Sequence, residues 1–73
     1  MSQEVTFKIE NRVGVLAEHA TGWTKEVNKV SWNGNPAKWD IRDWSPSHEQ
    51  MGRGLTLTDQ EMRQMVGLVR SWL

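Results

Sequence analysis

Apolar and polar positions alternate along most of the first two thirds of the chain. Val5, Phe7 and Ile9 alternate with Thr6, Lys8 and Glu10, and Val13, Val15 and Ala17 repeat the pattern after Asn11-Arg12. A period of two sends successive side chains to opposite faces of a strand, so both runs predict half-buried strands. Gly14 interrupts the second run as a bulge signal. Thr21-Gly22 marks the next turn. Lys25 to Trp32 then leads through Asn33-Gly34-Asn35-Pro36 into a further alternating run, Ala37 to Trp44. Asn-Gly between two such runs predicts a hairpin, because both residues tolerate the positive φ that the turn requires. Pro36 stands at the start of the next strand, where its missing N–H does least harm. Ser45 to Gly54, with Ser-Pro-Ser and Gly52-Arg53-Gly54, reads as a loop leading to a short Leu55-Thr56-Leu57 segment.

The C-terminal pattern changes to a helical period. Thr58-Asp59-Gln60-Glu61 fits a capping box with Thr58 as N-cap, and Asp59 and Glu61 complement the positive end of the helix dipole. Behind them Met62, Met65, Val66, Val69 and Leu73 follow the i, i+3, i+4, i+7 spacing, and Leu68 and Trp72 widen the apolar arc. That arc is broad for one helix on a small sheet, so a second subunit is expected to cover part of it, with Met62, Met65, Val69 and Trp72 at the seam. The expected fold is α+β, β-β-β-β-α, a single domain over residues 1–73, paired as a homodimer.

Composition narrows the function. A chain of 73 residues has room for one thin core. Nine Lys and Arg balance nine Asp and Glu, which argues against a basic tail that coats nucleic acid by charge alone. No cysteine is present, which excludes disulfides, thiolate metal sites and a cysteine nucleophile. The apolar runs fall far short of the ~20 residues of a membrane span, and Met1-Ser2-Gln3-Glu4 lacks the features of a signal peptide. A cytoplasmic protein is expected, nucleoid-associated if its ligand is DNA. Five Trp and one Phe with no Tyr is an unusual aromatic set.

Enzyme chemistry finds little support. His19 and His48 belong to no zinc-binding pattern, and His48 reads as a solvated loop histidine. Ser47, His48 and Asp43 supply three triad residue types without a nucleophile-elbow motif. No catalytic residue, metal, cofactor or small-molecule substrate is expected. A binding role rests on Lys38-Trp39-Asp40-Ile41-Arg42-Asp43-Trp44. In a strand Ala37, Trp39 and Ile41 share an apolar face that should meet the helix, while Lys38, Asp40, Arg42 and Trp44 share the other. On an open surface that second set suits single-stranded nucleic acid, with cations on phosphates and rings on bases. Equally, Asp40 can neutralise Lys38 or Arg42 while Trp44 plugs the sheet edge. Trp32 precedes the Asn33-Gly34 turn and can lie beside Arg42, with Asn28 in its alternation set. Arg53 between two glycines can meet a phosphate or simply occupy a flexible turn.

Taken together, Trp39-Asp40-Ile41-Arg42-Asp43-Trp44, the Pro-containing loop, Gly52-Arg53-Gly54-Leu55-Thr56-Leu57-Thr58 and the closing amphipathic helix resemble the positive cofactor four family. These are single-stranded-DNA-binding transcriptional coactivators, and the likeness is to their short bacterial, YdbC-like branch. It covers Gly22 to Leu73. The resemblance implies a curved four-stranded antiparallel sheet backed by one helix and paired into a dimer whose grooves hold single strands with little sequence dependence. It places Arg42 on the DNA backbone, Trp32 and Trp44 as stacking aromatics, and Lys25 and Arg53 on phosphates. Lys38 and Asn28 join this set from alternation alone. The Ser- and Lys-rich tail of the eukaryotic coactivators has no counterpart here, so the DNA-binding half of the resemblance transfers better than phosphorylation-regulated coactivation. The alternative is a protein-interaction module that binds a peptide at its sheet edge. Nothing in the sequence separates DNA from RNA.

Overall fold

The computed structural model describes residues 5–73, which form four antiparallel strands in one sheet of order β1-β2-β3-β4, followed by a helix. The strands are β1 (Phe7–Glu18), β2 (Thr24–Trp32), β3 (Lys38–Trp44) and β4 (Met51–Leu57). Helix α1 (Asp59–Val69) continues into a 3-10 turn over Arg70–Trp72. The four-strand, one-helix order matches the expectation, but two of the strands are composed differently. The two runs expected on either side of Asn11-Arg12 do not form separate strands; they merge into β1. The expected Ser45–Gly54 loop ends early, because Met51-Gly52-Arg53-Gly54 pairs with β3 and makes the fourth strand.

Bulges explain the merger. β1 has 12 residues and its partner β2 has 9, and the difference of 3 is taken up by three register shifts in the β1–β2 ladder. The extra residues are Glu10, Val13 and Leu16, evenly spaced. Each bulge bends the strand and adds twist, so three in a row curl the sheet. The size of the curl is visible on the face carrying Trp32 and Trp44. Trp32 pairs with Phe7 while Trp44 pairs with Thr24, eight residues away along β2 and about 26 Å apart if the strand were straight. Yet the Phe7 ring lies 5.9 Å from Trp32 and 5.2 Å from Trp44. The two ends of the strand therefore curve over one another.

The curl encloses a small interior that is unusually polar. Among the described residues its buried apolar members are Val30 and Trp44, and its buried polar members are Glu26, Asn28, Asp40 and Ser45. The anticipated open face of Lys38, Asp40, Arg42 and Trp44 is therefore largely closed: of the four, Lys38 alone is exposed. The Asn33-Gly34 turn forms as expected, with φ of 51° and 76° and a bond from Asn35 N to Trp32 O of 2.9 Å.

The other face carries Trp39 and Ile41, as their alternation requires, with Leu57 and Val27 as their ladder partners. The capping box joins the helix to it: Glu61 N donates to Thr58 Oγ1 at 3.1 Å, and Thr58 N donates to Glu61 Oε1 at 2.8 Å. The helix covers little of this face. Met62 and Met65 are half-buried, whereas Val66, Leu68, Val69, Trp72 and Leu73 are exposed, as is Leu55 on β4. The radius of gyration is 13.4 Å, against about 11 Å for a compact domain of this length. The single chain is thus more extended than its size requires.

Candidate nucleic-acid interface

The site begins with a buried ion pair on β3. Arg42 donates from Nε to Asp40 Oδ1 at 2.6 Å and from Nη2 to Asp40 Oδ2 at 2.8 Å. The residues are two apart on one strand, so their side chains leave the same face. Asp40 is fully buried and the Arg42 side chain 13% exposed. A bidentate pair of this kind fixes the guanidinium plane as well as its charge. Arg42 Nη1 is also 3.4 Å from Gly52 O and from Met51 Sδ. The guanidinium lies over the Trp32 ring, 4.6 Å from its centroid, in cation–π geometry.

Gly54 makes this arrangement possible. It pairs with Arg42 across β3 and β4, and a Cβ built on it would stand 2.5 Å from Arg42 Cβ and 2.7 Å from both Arg42 Nε and Ile41 O. The Arg42 side chain lies flat on bare backbone. The Gly-basic-Gly motif thus works through its second glycine as a floor for Arg42, while Arg53 itself is exposed.

A second polar group supports the curl. Asn28 Nδ2 donates to Glu26 Oε1 at 3.0 Å, and Asn28 Oδ1 accepts from Val13 N at 3.3 Å. Val13 is a bulge residue, so the Asn28 side chain supplies the partner that the ladder denies its N–H. Thr24 Oγ1 donates to Glu26 Oε2, and His48 Nε2 lies 2.8 Å from the same oxygen. His48, with φ of 62°, also stacks on Trp44 at 5.7 Å. The histidine expected to be solvated is instead a half-buried partner of a buried carboxylate. Burial alone would raise the Glu26 carboxyl, but the bonds from Asn28, Thr24 and His48 and the charge of His48 together hold it below its ordinary value.

Trp32, Lys38 and Arg42 line one open groove of about 790 Å³, together with the Asn35–Ala37 turn, Thr56, Thr58 and Asp59. Three sequence-selected residues therefore meet: one ring and two cations. Asn28 and Trp44 do not join them. The Asn28 side chain serves the bulge, and Trp44 is wholly buried under Phe7 and His48, with no ring face left for a base. Lys25 and Arg53 are exposed but outside the groove lining. Sequence reasoning missed Asp59 as a groove residue. Its signal was the absence of any linker between Leu57 and the Thr58 cap, which forces the helix start against the sheet.

On the opposite face Asp59 Oδ1 accepts from Lys29 Nζ and Trp39 Nε1, both at 2.7 Å. These two bonds and the Lys29 charge lower the Asp59 carboxyl. Lys29 Nζ also lies 4.9 Å from the Trp39 ring centroid.

Two consequences for stability are testable. Gly54→Ala should cost about 1–3 kcal/mol in urea unfolding, because the new Cβ collides with Arg42 and backbone rather than with a flexible tip. Because the Glu26 carboxyl is depressed in the folded state, its contribution is present above the unfolded carboxylate range and is lost as pH falls through the folded value. The urea midpoint should therefore drop on acidification from about pH 7 to about pH 3, and Glu26→Gln should flatten that limb of the curve. An acid limb unchanged in the variant would remove Glu26 from the explanation.

The same residues fall within the span shared with known proteins. The sequence profile of the family described as Transcriptional Coactivator p15 (PC4) matches residues 19–68, more than half of the chain, from the β1–β2 turn into α1. An uncharacterized protein of Treponema pallidum (strain Nichols) is 37% identical over 71 residues, covering 97% of this chain and 84% of that one. The matched span contains the Asp40–Arg42 pair, Trp32, Gly54 and the capping box, and the chain belongs to the p15 (PC4) transcriptional coactivator family.

Proposed function

We propose that the protein is a non-enzymatic, homodimeric binder of single-stranded DNA, largely independent of sequence, serving transcription, replication or repair. The observation that carries this reading is the groove in which Trp32, Lys38 and Arg42 converge. Membership of a coactivator family supports nucleic acid as the ligand class. A base stacks on the exposed part of Trp32, while Lys38 neutralises an adjacent phosphate and Arg42, its charge taken up by Asp40, holds the ring in place. Lys25 and Arg53 extend the cationic track outside the groove. Asn28 and Trp44 act beneath the surface, by supporting the curl rather than by touching DNA. Duplex DNA is disfavoured because its bases are already stacked and cannot reach the ring.

Self-association is argued from surface chemistry. A broad apolar helix face with Val66, Val69 and Trp72 exposed, beside an exposed Leu55, is more contiguous apolar surface than a small monomer ordinarily leaves in water. A second copy covering it, with Met62, Met65, Val69 and Trp72 at the seam, would add to a core that in one chain is thin.

One observation favours a second reading. Val13, Val15 and Leu16 are exposed on β1, a sheet edge, which is where a peptide could add as a further strand. Salt separates the two. A tryptophan-fluorescence titration with an oligo-dT of about 20 nucleotides should show binding that weakens steeply with salt, each neutralised phosphate adding about −0.7 to the log–log slope. Trp32→Ala should weaken binding by about 1–3 kcal/mol with the fold intact, and Lys38→Met should make the slope shallower by about 0.7. Sedimentation should give twice the 8.5 kDa chain mass. Absence of oligonucleotide binding at low salt would set the DNA reading aside in favour of the peptide edge.

A further inference from the structure

Among the described residues, Lys38 is the one groove cation that no carboxylate answers. Arg42, the other, is neutralised by Asp40. A single strand carries a phosphate at every nucleotide, so a face that tracks its backbone needs more than one uncommitted cation. The β1–β2 ladder places a second. Residues directly opposite in an antiparallel ladder share a face. With Glu10, Val13 and Leu16 outside the pairing, Ile9, Arg12, Val15 and Glu18 stand opposite Val30, Asn28, Glu26 and Thr24. Val30 is in turn the partner of Lys38, so Arg12 belongs to the face of Lys38 and Trp32. Arg12 is exposed and joins no ion pair among the described residues. The two carboxylates of this face closest to it in the ladder are occupied, Asp40 by Arg42 and Glu26 by Thr24, Asn28 and His48. The exposed Glu18 stands two pairs farther along β1.

We propose that Arg12 is a second phosphate contact, so that a single strand crosses the curled face from Lys38 on β3 to Arg12 on β1. The proposal rests on the single-strand reading above and extends it to a residue outside the span 19–68 that the family profile matches. Lys38 and Arg12 are separated by two strand spacings across the sheet and by the two residues from Val30 to Asn28 along β2. On a flat sheet that puts their Cα atoms about 12 Å apart, and the curl draws the side chains of this face together. The Arg12 backbone is fixed by its own ladder partner, since Asn28 Oδ1 accepts from Val13 N at 3.3 Å. A guanidinium on a phosphate positions the chain and reads no base, which agrees with binding that is largely independent of sequence. A charge on an edge strand can also serve only to keep other chains from pairing there, and that role leaves DNA affinity unmoved.

The test is a salt series with oligo-dT of about 20 nucleotides on the wild type, Arg12→Met, Arg12→Lys and Lys8→Met. Lys8 is exposed on the same strand but stands opposite Ser31, on the other face of the sheet. Arg12→Met should make the log–log slope shallower by about 0.7 for each subunit that the oligomer engages, and weaken binding roughly five- to tenfold at about 50 mM salt. Arg12→Lys should keep the slope, because the contact is one of charge. Lys8→Met should leave slope and affinity at their wild-type values. An unchanged slope in Arg12→Met overturns the proposal and assigns Arg12 to protection of the edge. An equal change in Lys8→Met also overturns it, because the effect is then one of net charge, and so does a loss in Arg12→Lys as large as that in Arg12→Met. Failure of the wild type to bind at low salt overturns the single-strand reading itself, an outcome seen before any variant is made.

Discussion

The structure depends on keeping one buried charge pair in a fixed place. Asp40 has no contact with water and Arg42 little, and their bidentate bond lies in an interior with Val30 and Trp44 as its fully enclosed apolar members. Burying two ions carries a desolvation cost that the Coulomb attraction offsets only when the geometry is good and the remaining donors are satisfied. Here both conditions are met by neighbours. Asp40 takes two donors, Trp32 covers the guanidinium face, and Gly54 gives the side chain a floor without a Cβ. Removing Asp40 would leave a cation in the same small space with nothing to neutralise it. The pair therefore determines where the one aromatic–cation platform of the groove stands.

Curvature is the second constraint, and it comes from the backbone. The three extra residues of β1 bend the sheet until Phe7, Trp32, Arg42 and Trp44 converge from opposite ends of their strands. The bulges leave donors outside the ladder, and Asn28 answers one of them at Val13. Glu26, opposite Arg42 in the ladder, is satisfied not by that arginine but by Asn28, Thr24 and His48. Two carboxylates and two basic groups are thereby sorted into separate pairs under one curved face. The opposite face is left with the helix start and an apolar strip, so one side of the sheet is finished within the chain and the other is not.

Much of this is legible in the sequence at the level of short-range chemistry. Asn33-Gly34 specifies its turn, Thr58 and Glu61 their capping box, and the Ala37–Trp44 alternation assigns Trp39 and Ile41 to the helix side and Asp40, Arg42 and Trp44 to the other. Which face is buried is not legible, because alternation assigns side chains to faces and says nothing of how a sheet curls. The bulges leave no mark in the alternation, and the polar Asn11-Arg12 interrupts its apolar positions, so β1 reads as two strands around them. Met51-Gly52-Arg53-Gly54 reads as a loop because its glycines signal turns. The place of Gly54 in β4 is set by the side chain of Arg42 on the neighbouring strand, a long-range reason with no local mark. His48 escapes a local reading for the same cause: its partner Glu26 lies 22 residues away in sequence.

On the proposed function, Trp32 on its Arg42–Asp40 mount is the aromatic that meets nucleic acid, while Trp44 is structural. The indole N–H resonances of a ¹⁵N-labelled sample, assigned by single Trp→Phe replacements, report each ring separately during titration with oligo-dT. Both the Trp32 and Trp44 Nε1 atoms are buried without a hydrogen-bond partner among the described residues. Trp32 should show a large progressive shift and Trp44 should stay unmoved. A shift at Trp44 with Trp32 unchanged would contradict the assignment of both rings.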